Sequence, residues 1–336
     1  MKLTARDEHA KTLASMFGLD EDAAAALLDV AVLVTAAPDV GAQSVRHHLV
    51  AMLGRTVATV SAEHTSEPAV EVLIGNVVPR SSAPLVRVGI TAEHVVVSSS
   101  DEPEHDGAGV LEIILLVAAC YAAAAVVRLA VGRHFTLPFH DVIRLPVRRF
   151  LRGYDGRRVQ LGEFFVAGAG AIGNGFLWAL ATMDIEGTVL VVDPKNVTDG
   201  NLGRCLLFTE DDRDQPKAER LVARAQALLP RLQLHPRVHT LQTVPERVGG
   251  AWLRRLVVAV DSRRARRRLQ EELPRDVFDA STTGIEEVVV HFNSANDHGA
   301  CLSCVYHEDA AESAHEQHVA ETLGVTLADV REHYVS

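Results

Sequence analysis

Between Val192 and Ala218 the sequence reads VDPKNVTDGNLGRCLLFTEDDRDQPKA. A carboxylate, Asp193, opens the stretch, and an amide and two cations follow at Asn201, Arg204 and Lys217. Arg grips phosphate with a two-pronged, charge-assisted fork and Lys acts as a point charge. Backbone N–H groups suffice for most of a dinucleotide's pyrophosphate, whereas a triphosphate brings extra negative charge that calls for such cations. The stretch therefore reads as one that holds the triphosphate of ATP while a carboxylate attacks its α-phosphorus. Cations set in advance around the departing pyrophosphate act where charge develops in the transition state. Asp261, at the end of the apolar run LVVAVD, is placed to hold Mg²⁺ directly or through water. Taken singly, surface ion pairs account for Arg204 and Lys217, and a helix cap for Asp261.

Upstream, GAGAIG sets Gly168, Gly170 and Gly173 at the spacing G-x-G-x-x-G. The first glycine permits a tight turn, the second lets phosphate approach the backbone, and the third lets helix and strand pack closely. Asp193 follows Gly168 by 25 residues, as expected of an acid that receives ribose hydroxyls. This fingerprint serves NAD and ATP alike; the cations after it separate them.

The elements that must position these groups follow from periodicity. EFFVAGAG is a short apolar strand ending in glycines, AIGNGFLWALATM a buried helix and GTVLVVD a second strand. DQPKAERLVARAQALLP reads as a helix with Asp214 as N-cap, Pro216 in the first turn and Pro230 as the stop. LVVAVDS, RRARRRLQEEL, VFDAST and EEVVVHF continue the alternation as strand, helix, strand and strand. The fold class is thus α/β, a Rossmann-like doubly wound sheet with ligands at the carboxyl ends of its strands. The composition turns basic and glycine-containing near Arg148 to Gly162, which sets a boundary between domains 1–155 and 156–336. The earlier domain reads as α/β, with strands in LDVAVLV, AVEVLIGNV and APLVRVGI and a long helix over Val110 to Val131. A degenerate copy of the same fold, without the glycine fingerprint, and an unrelated accessory domain both fit it. SSSDEPEHDGAG, Ser98 to Gly109, reads as an exposed loop.

A chain of 336 residues with 48% hydrophobic composition can bury two cores, and its formal charge of −11 excludes a general nucleic-acid binder. Arg263, Arg264, Arg266, Arg267 and Arg268 wrap around a helix and read as a solvated face. Ile113 to Val127 is bracketed by Glu112 and Arg128 and shorter than the ~20 residues of a membrane span, so it is expected as a buried helix. The opening MKLTARDEHAKTLA has no apolar core of a secretory signal, and the expected setting is cytoplasmic.

From Phe164 to Cys304 the sequence resembles the ThiF/MoeB/HesA superfamily, which includes the ubiquitin-activating enzymes. The resemblance rests on GAGAIGNG, on VDPKNVTDGNLGR with its N-L-x-R ending, on the lysine of QPKA, and on VVAVDS followed by AR. It implies an adenylyltransferase that uses ATP and Mg²⁺ on the C-terminal carboxylate of a ubiquitin-like or sulfur-carrier protein, with release of pyrophosphate. By matched position, Gly168, Gly170 and Gly173 form the nucleotide loop and Asp193 receives the ribose. Asn201, Arg204 and Lys217 contact the phosphates, and Asp261 serves the metal. The resemblance also implies a homodimer or an intramolecular pseudo-dimer whose second half supplies an arginine; Arg148, Arg149 and Arg152 lie near the junction without marking themselves as that residue.

Cys301 and Cys304 form a C-x-x-C pair of the kind that binds Zn²⁺, and His307, His315 or His318 would have to complete four ligands. Cys205 and Cys120 match no nucleophile position. Within the same superfamily, modification of a precursor peptide in natural-product synthesis stays open as the alternative. An NAD-dependent oxidoreductase and a non-catalytic nucleotide-binding scaffold stand behind it.

Overall fold

The computed structural model describes residues 4–62, 67–134, 140–249, 252–283, 287–296, 298–308 and 310–333. The chain forms two compact units. The first comprises Met1–Val159 with Trp178–Asp184 and Thr198–Asp211; the second comprises Gln160–Leu177, Ile185–Val197 and Asp212–Ser336.

The first unit opens with α1 (Ala5–Phe17), whose end is closed by a reciprocal capping box between Thr4 and Asp7, and α2 (Glu21–Leu28), capped by Asp20. Next come β1 (Ala31–Ala36), α3 (Val40–Leu53), β2 (Thr59–Ser61), β3 (Val70–Ile74), β4 (Leu85–Ile90), β5 (His94–Ser98), α4 (Glu112–Val131), β6 (Val142–Pro146) and α5 (Val147–Leu151). The strands lie in the order β2-β1-β3-β4-β5-β6, parallel from β2 to β4 and antiparallel beyond. Branched residues on β1 and β3 are buried on both faces, as a covered parallel sheet requires. Val34, Leu49, Ile74, Ile90, Leu115 and Ala122 belong to its core. By length and composition alone α4 could cross a membrane, but Ile114, Leu115, Ala118, Ala122 and Val126 bury it in this core, the buried helix expected for that run.

The remaining elements are β7 (Val159–Ala167), α6 (Ala171–Leu180), β8 (Ile185–Val192), α7 (Asp199–Leu202), α8 (Lys217–Gln226), β9 (Leu232–Arg237), β10 (Arg255–Val258), α9 (Arg263–Glu271), β11 (Asp276–Thr283), β12 (Glu287–Ser294), α10 (Leu302–Val305), α11 (Ala310–Leu323) and α12 (Leu327–His333). The second sheet runs β12-β11-β10-β7-β8-β9, with β10 parallel to β7 and β11, and β12 antiparallel at the edge. Chain order reverses between β7 and β10, the switch point where doubly wound sheets open a crevice.

The first sheet repeats much of this plan. β2-β1-β3-β4-β5 follows the order and the antiparallel turn of β8-β7-β10-β11-β12, and β2 stands at the edge where the second sheet adds β9. Its own switch point, between β1 and β3, is filled. His105 donates its Nε2–H to Asp39 Oδ2 at 3.0 Å and accepts the Ile90 N–H at Nδ1 at 3.2 Å, and its side chain is 5% exposed. A Cβ on Gly75, φ +81°, would meet Ala37 and His105 at 2.9 Å. The Ser98–Gly109 segment is the exposed loop expected for it, and His105 anchors it over the strand ends.

Two expectations change. Asp214 does not cap α8: its φ of +60° turns the chain beforehand, and Pro216 occupies the cap. Of the five arginines, Arg263 and Arg268 are exposed as expected, but Arg264, Arg266 and Arg267 are not a solvated face. Arg266 is 2% exposed and bonds Asp279, Arg264 pairs with Glu316, and Arg267 and Arg268 donate to the Tyr306 and Arg331 carbonyls. The helix packs against β11 and the C-terminal helices, which bring the buried Asp279 and Glu316 carboxylates within reach of these long side chains.

Candidate nucleotide site

Each glycine of the loop after β7 has a distinct structural demand. Gly168 has φ +105°, and a Cβ there would lie 2.5 Å from the Ala259 carbonyl oxygen just beyond β10. A Cβ on Gly173, in the first turn of α6, would lie 2.2 Å from the Gly168 oxygen. Around Gly170 an added Cβ meets nothing within 4 Å, so the backbone there is open to a ligand. The loop is held in register by Gly168 N–H to Val192 O and Ala259 N–H to Ala167 O, both 2.8 Å.

Asp193 braces this loop from β8. Its Oδ2 accepts the Ala169 N–H and its Oδ1 the Lys195 N–H, each at 2.8 Å, with the residue 7% exposed. Each oxygen keeps a lone pair beyond these bonds. Lys195 O in turn accepts the Lys217 N–H at 2.9 Å, and Asn196 bridges Pro216, so the start of α8 is tied to the Asp193 turn. Lys217 is half-buried and pairs with no described carboxylate. On the other side of the switch point Asp261 follows β10 as an exposed residue; the N-cap of α9 is Ser262, whose hydroxyl accepts the Ala265 N–H at 3.3 Å. The helix-cap explanation of Asp261 thus falls to its neighbour.

Asn201 and Arg204 belong to the first unit. Asn201 is buried, and its Oδ1 accepts Thr198 N–H at 2.9 Å and Thr198 Oγ1–H at 3.1 Å, which closes α7 and leaves Nδ2 as a donor. Arg204 is exposed and without an ion pair to any described carboxylate. Arg148, Arg149 and Arg152 are exposed on α5 and its C-terminal turn.

Several structural residues were not singled out from sequence. Asn174, fully buried, donates its Nδ2 to Ala169 O at 3.1 Å and Gly170 O at 3.0 Å, turning both carbonyls into the protein. Its place directly after the third glycine was the available signal. Arg266 Nε donates to Asp279 Oδ1 at 3.0 Å, its guanidinium lies 4.9 Å from the Tyr306 ring centre, and Tyr306 donates to Asp279 Oδ2. Burial and the Asp279 carboxylate raise the Tyr306 hydroxyl above its ordinary pKa. This buried group clamps α9, and with it the turn bearing Asp261, onto β11.

The Cys301 and Cys304 sulfurs lie 3.6 Å apart. Among the described residues no group of three or more His, Cys, Asp or Glu assembles a metal site; His307 and His318 are exposed, and the His315 side chain lies outside the described residues. The four ligands that Zn²⁺ needs are therefore not gathered among those residues. Cys205 is fully buried, as befits a structural thiol.

Residues 152–332 match the ThiF family and residues 2–150 the E1 N-terminal domain. Protein y4jF of Sinorhizobium fredii is 30% identical over 236 residues, 68% of this chain and 45% of that protein. Human ubiquitin-like modifier-activating enzyme 7 is 33% identical over 137 residues, 35% of this chain and 14% of that protein. The chain thus spans less than half the length of either relative. Among solved structures, Escherichia coli MccB with AMPCPP and MccA aligns over 48% of both chains at 18% identity and a TM-score of 0.38. With more than half its length in that match, the chain belongs to the ThiF family.

Proposed function

We propose that this chain catalyses ATP-dependent adenylation of a carboxylate, the C-terminus of a ubiquitin-like or sulfur-carrier protein, with pyrophosphate as leaving group. The observation that carries this reading is the placement of Lys217. An ammonium group that meets no carboxylate among the described residues begins α8 at a backbone tied through Lys195 to Asp193, the same carboxylate that braces the glycine loop. Backbone N–H groups hold most of a dinucleotide's pyrophosphate, whereas the extra negative charge of a triphosphate calls for such a cation.

In this reading the open backbone at Gly170 and the amino end of α6 receive phosphate oxygens. The free lone pairs of Asp193 accept ribose hydroxyls. As the substrate carboxylate attacks the α-phosphorus, the bond to the bridging oxygen breaks and charge grows on pyrophosphate; Arg204, Lys217 and the Asn201 amide supply the donors that stabilise it. Mg²⁺ binds through one or two carboxylates together with phosphates and waters, and the exposed Asp261 suits that demand. When bound, the ion supplies positive charge to the phosphates. The human relative, a ubiquitin-like modifier-activating enzyme, supports a ubiquitin-like substrate. The repeated strand order, with one crevice filled by His105, supports an intramolecular pair with one inactive member, and an ATP-using enzyme of this kind is assigned to the cytoplasm.

Calorimetric titration with ATP and Mg²⁺, and separately with NAD, tests the proposal, with Asp261→Ala as control. Mg²⁺-dependent ATP binding that weakens in the variant is expected. Binding of NAD without any response to ATP overturns it.

A further inference from the structure

The segment that carries Asn201 and Arg204 has little regular structure of its own beyond the four residues of α7. Within it, Arg204 and Cys205 N–H donate to Asn201 O at 3.2 and 2.8 Å, and Phe208 N–H donates to Cys205 O at 3.0 Å. Several of its carbonyls are also gathered by a side chain distant in sequence. Arg55 Nη1 donates to Leu202 O at 2.8 Å and Cys205 O at 3.3 Å, and Nη2 donates to Leu206 O at 2.8 Å and Phe208 O at 2.7 Å. The intervening carbonyl, Gly203 O, lies 2.8 Å from His9 Nε2 on α1. Gly203 permits that approach, since a Cβ there would meet Ala5 O at 2.9 Å and the His9 ring at 3.2 Å.

We infer that Arg55, assisted by His9, is the positioning residue that presents Asn201 and Arg204 to phosphate, an inference that rests on the phosphate role proposed for those two. The physical case has two parts. Leu202 and Phe208 are fully buried or nearly so, and their carbonyls without the Arg55 donors would each leave an unsatisfied acceptor in the interior. A planar guanidinium with five donors reaches the Leu202, Cys205, Leu206 and Phe208 carbonyls from one point, which an ammonium group cannot match in geometry. Turning these oxygens onto Arg55 also removes their negative ends from the surface where Arg204 stands exposed, so that an anion meets the cation alone. Arg55 and His9 both lie in the E1 N-terminal domain match. That region, whose own crevice is filled, thereby contributes to the reaction by shaping a segment of the ThiF match.

The full chain carrying Arg55→Met, Arg55→Lys or Arg204→Ala tests this. The readouts are calorimetry with ATP and Mg²⁺ and amide hydrogen exchange over residues 201–208. Arg55→Met is expected to speed exchange in that segment and weaken ATP binding about tenfold or more. Arg55→Lys is expected to recover part of the affinity, and Arg204→Ala to weaken ATP binding with exchange unchanged. Should Arg55→Met fail to fold, Arg55→Lys alone decides, with an affinity between wild type and Arg204→Ala expected. Wild-type affinity in every folded Arg55 variant beside a weakened Arg204→Ala overturns the positioning role alone. Wild-type affinity in Arg204→Ala overturns the phosphate role on which it rests.

Discussion

The Asp193 carboxylate accepts the backbone N–H of Ala169 through one oxygen and that of Lys195 through the other, both at 2.8 Å. One side chain thus fixes the glycine loop and the turn leading toward Lys217 together. Asparagine at this position is nearly isosteric but has a single acceptor oxygen, so its NH₂ must face one of the two N–H donors. Asp193→Asn is expected to cost about 1–3 kcal/mol of stability and to weaken ATP binding in parallel. Urea unfolding together with calorimetry checks this; a variant as stable as wild type removes the bracing role.

The three glycines are expected to fail differently. Gly168→Ala forces a side chain into φ +105° and 2.5 Å from Ala259 O, so the strand end must shift and stability falls. Gly170→Ala meets no atom within 4 Å and should fold like wild type. Its methyl group occupies the open ground where phosphate would approach, so ATP affinity should drop without a change in melting temperature. Equal loss of stability in both variants contradicts this division.

Much of the second unit was legible because a covered parallel sheet leaves uninterrupted apolar runs such as Val189–Val192, and the glycine spacing reports a backbone demand directly. Lys217 and Asp261 stood out in sequence beside an ion-pair and a helix-cap explanation; among the described residues Lys217 meets no carboxylate, and Ser262 provides the cap. What could not be read was long-range. Arg266 looked like one of five solvated arginines because its partner Asp279 lies on another element, and helical periodicity carries no information about which face meets β11. His105 sat in a Ser- and Asp-rich run typical of loops, and only its bonds to Asp39 and Ile90 fix it. Arg55 is separated from its acceptors by some 150 positions of chain.

Arg204→Ala and Lys217→Ala are each expected to lower pyrophosphate exchange by about 10- to 100-fold, the range of a lost charge-assisted contact. Neither makes an ion pair with a described carboxylate, so the circular-dichroism melt should stay at the wild-type value. Exchange at the wild-type rate in either variant removes that residue from the phosphate set.

Arg266 and Asp279 are 2% and 0% exposed, so removing one partner strands the other's charge in the interior. Arg266→Leu is expected to destabilise by about 3–5 kcal/mol, whereas Arg266→Met combined with Asp279→Leu should recover most of that loss. The comparison is made by urea unfolding. A single variant no less stable than the double would show that the pair does not hold α9 against β11.

His9 ties the same segment as Arg55 and makes it sensitive to acid. Burial lowers its pKa first; the Gly203 carbonyl and Glu8 act in the opposite direction, and the charges of Arg204 and Arg55 lower it again. The net result lies below the ordinary histidine value of about 6.5. The neutral ring therefore donates its Nε2–H to Gly203 O. The unfolded chain takes up a proton on His9 as pH falls through about 6.5, while the folded chain resists until a lower pH. Stability from this group is complete above the unfolded value and is lost as pH falls from there toward the folded one. His9→Gln keeps a donor for Gly203 but cannot titrate. Unfolding free energies between pH 8 and 5 should fall more steeply for wild type than for His9→Gln, and parallel slopes would exclude His9 as the source of the acid sensitivity.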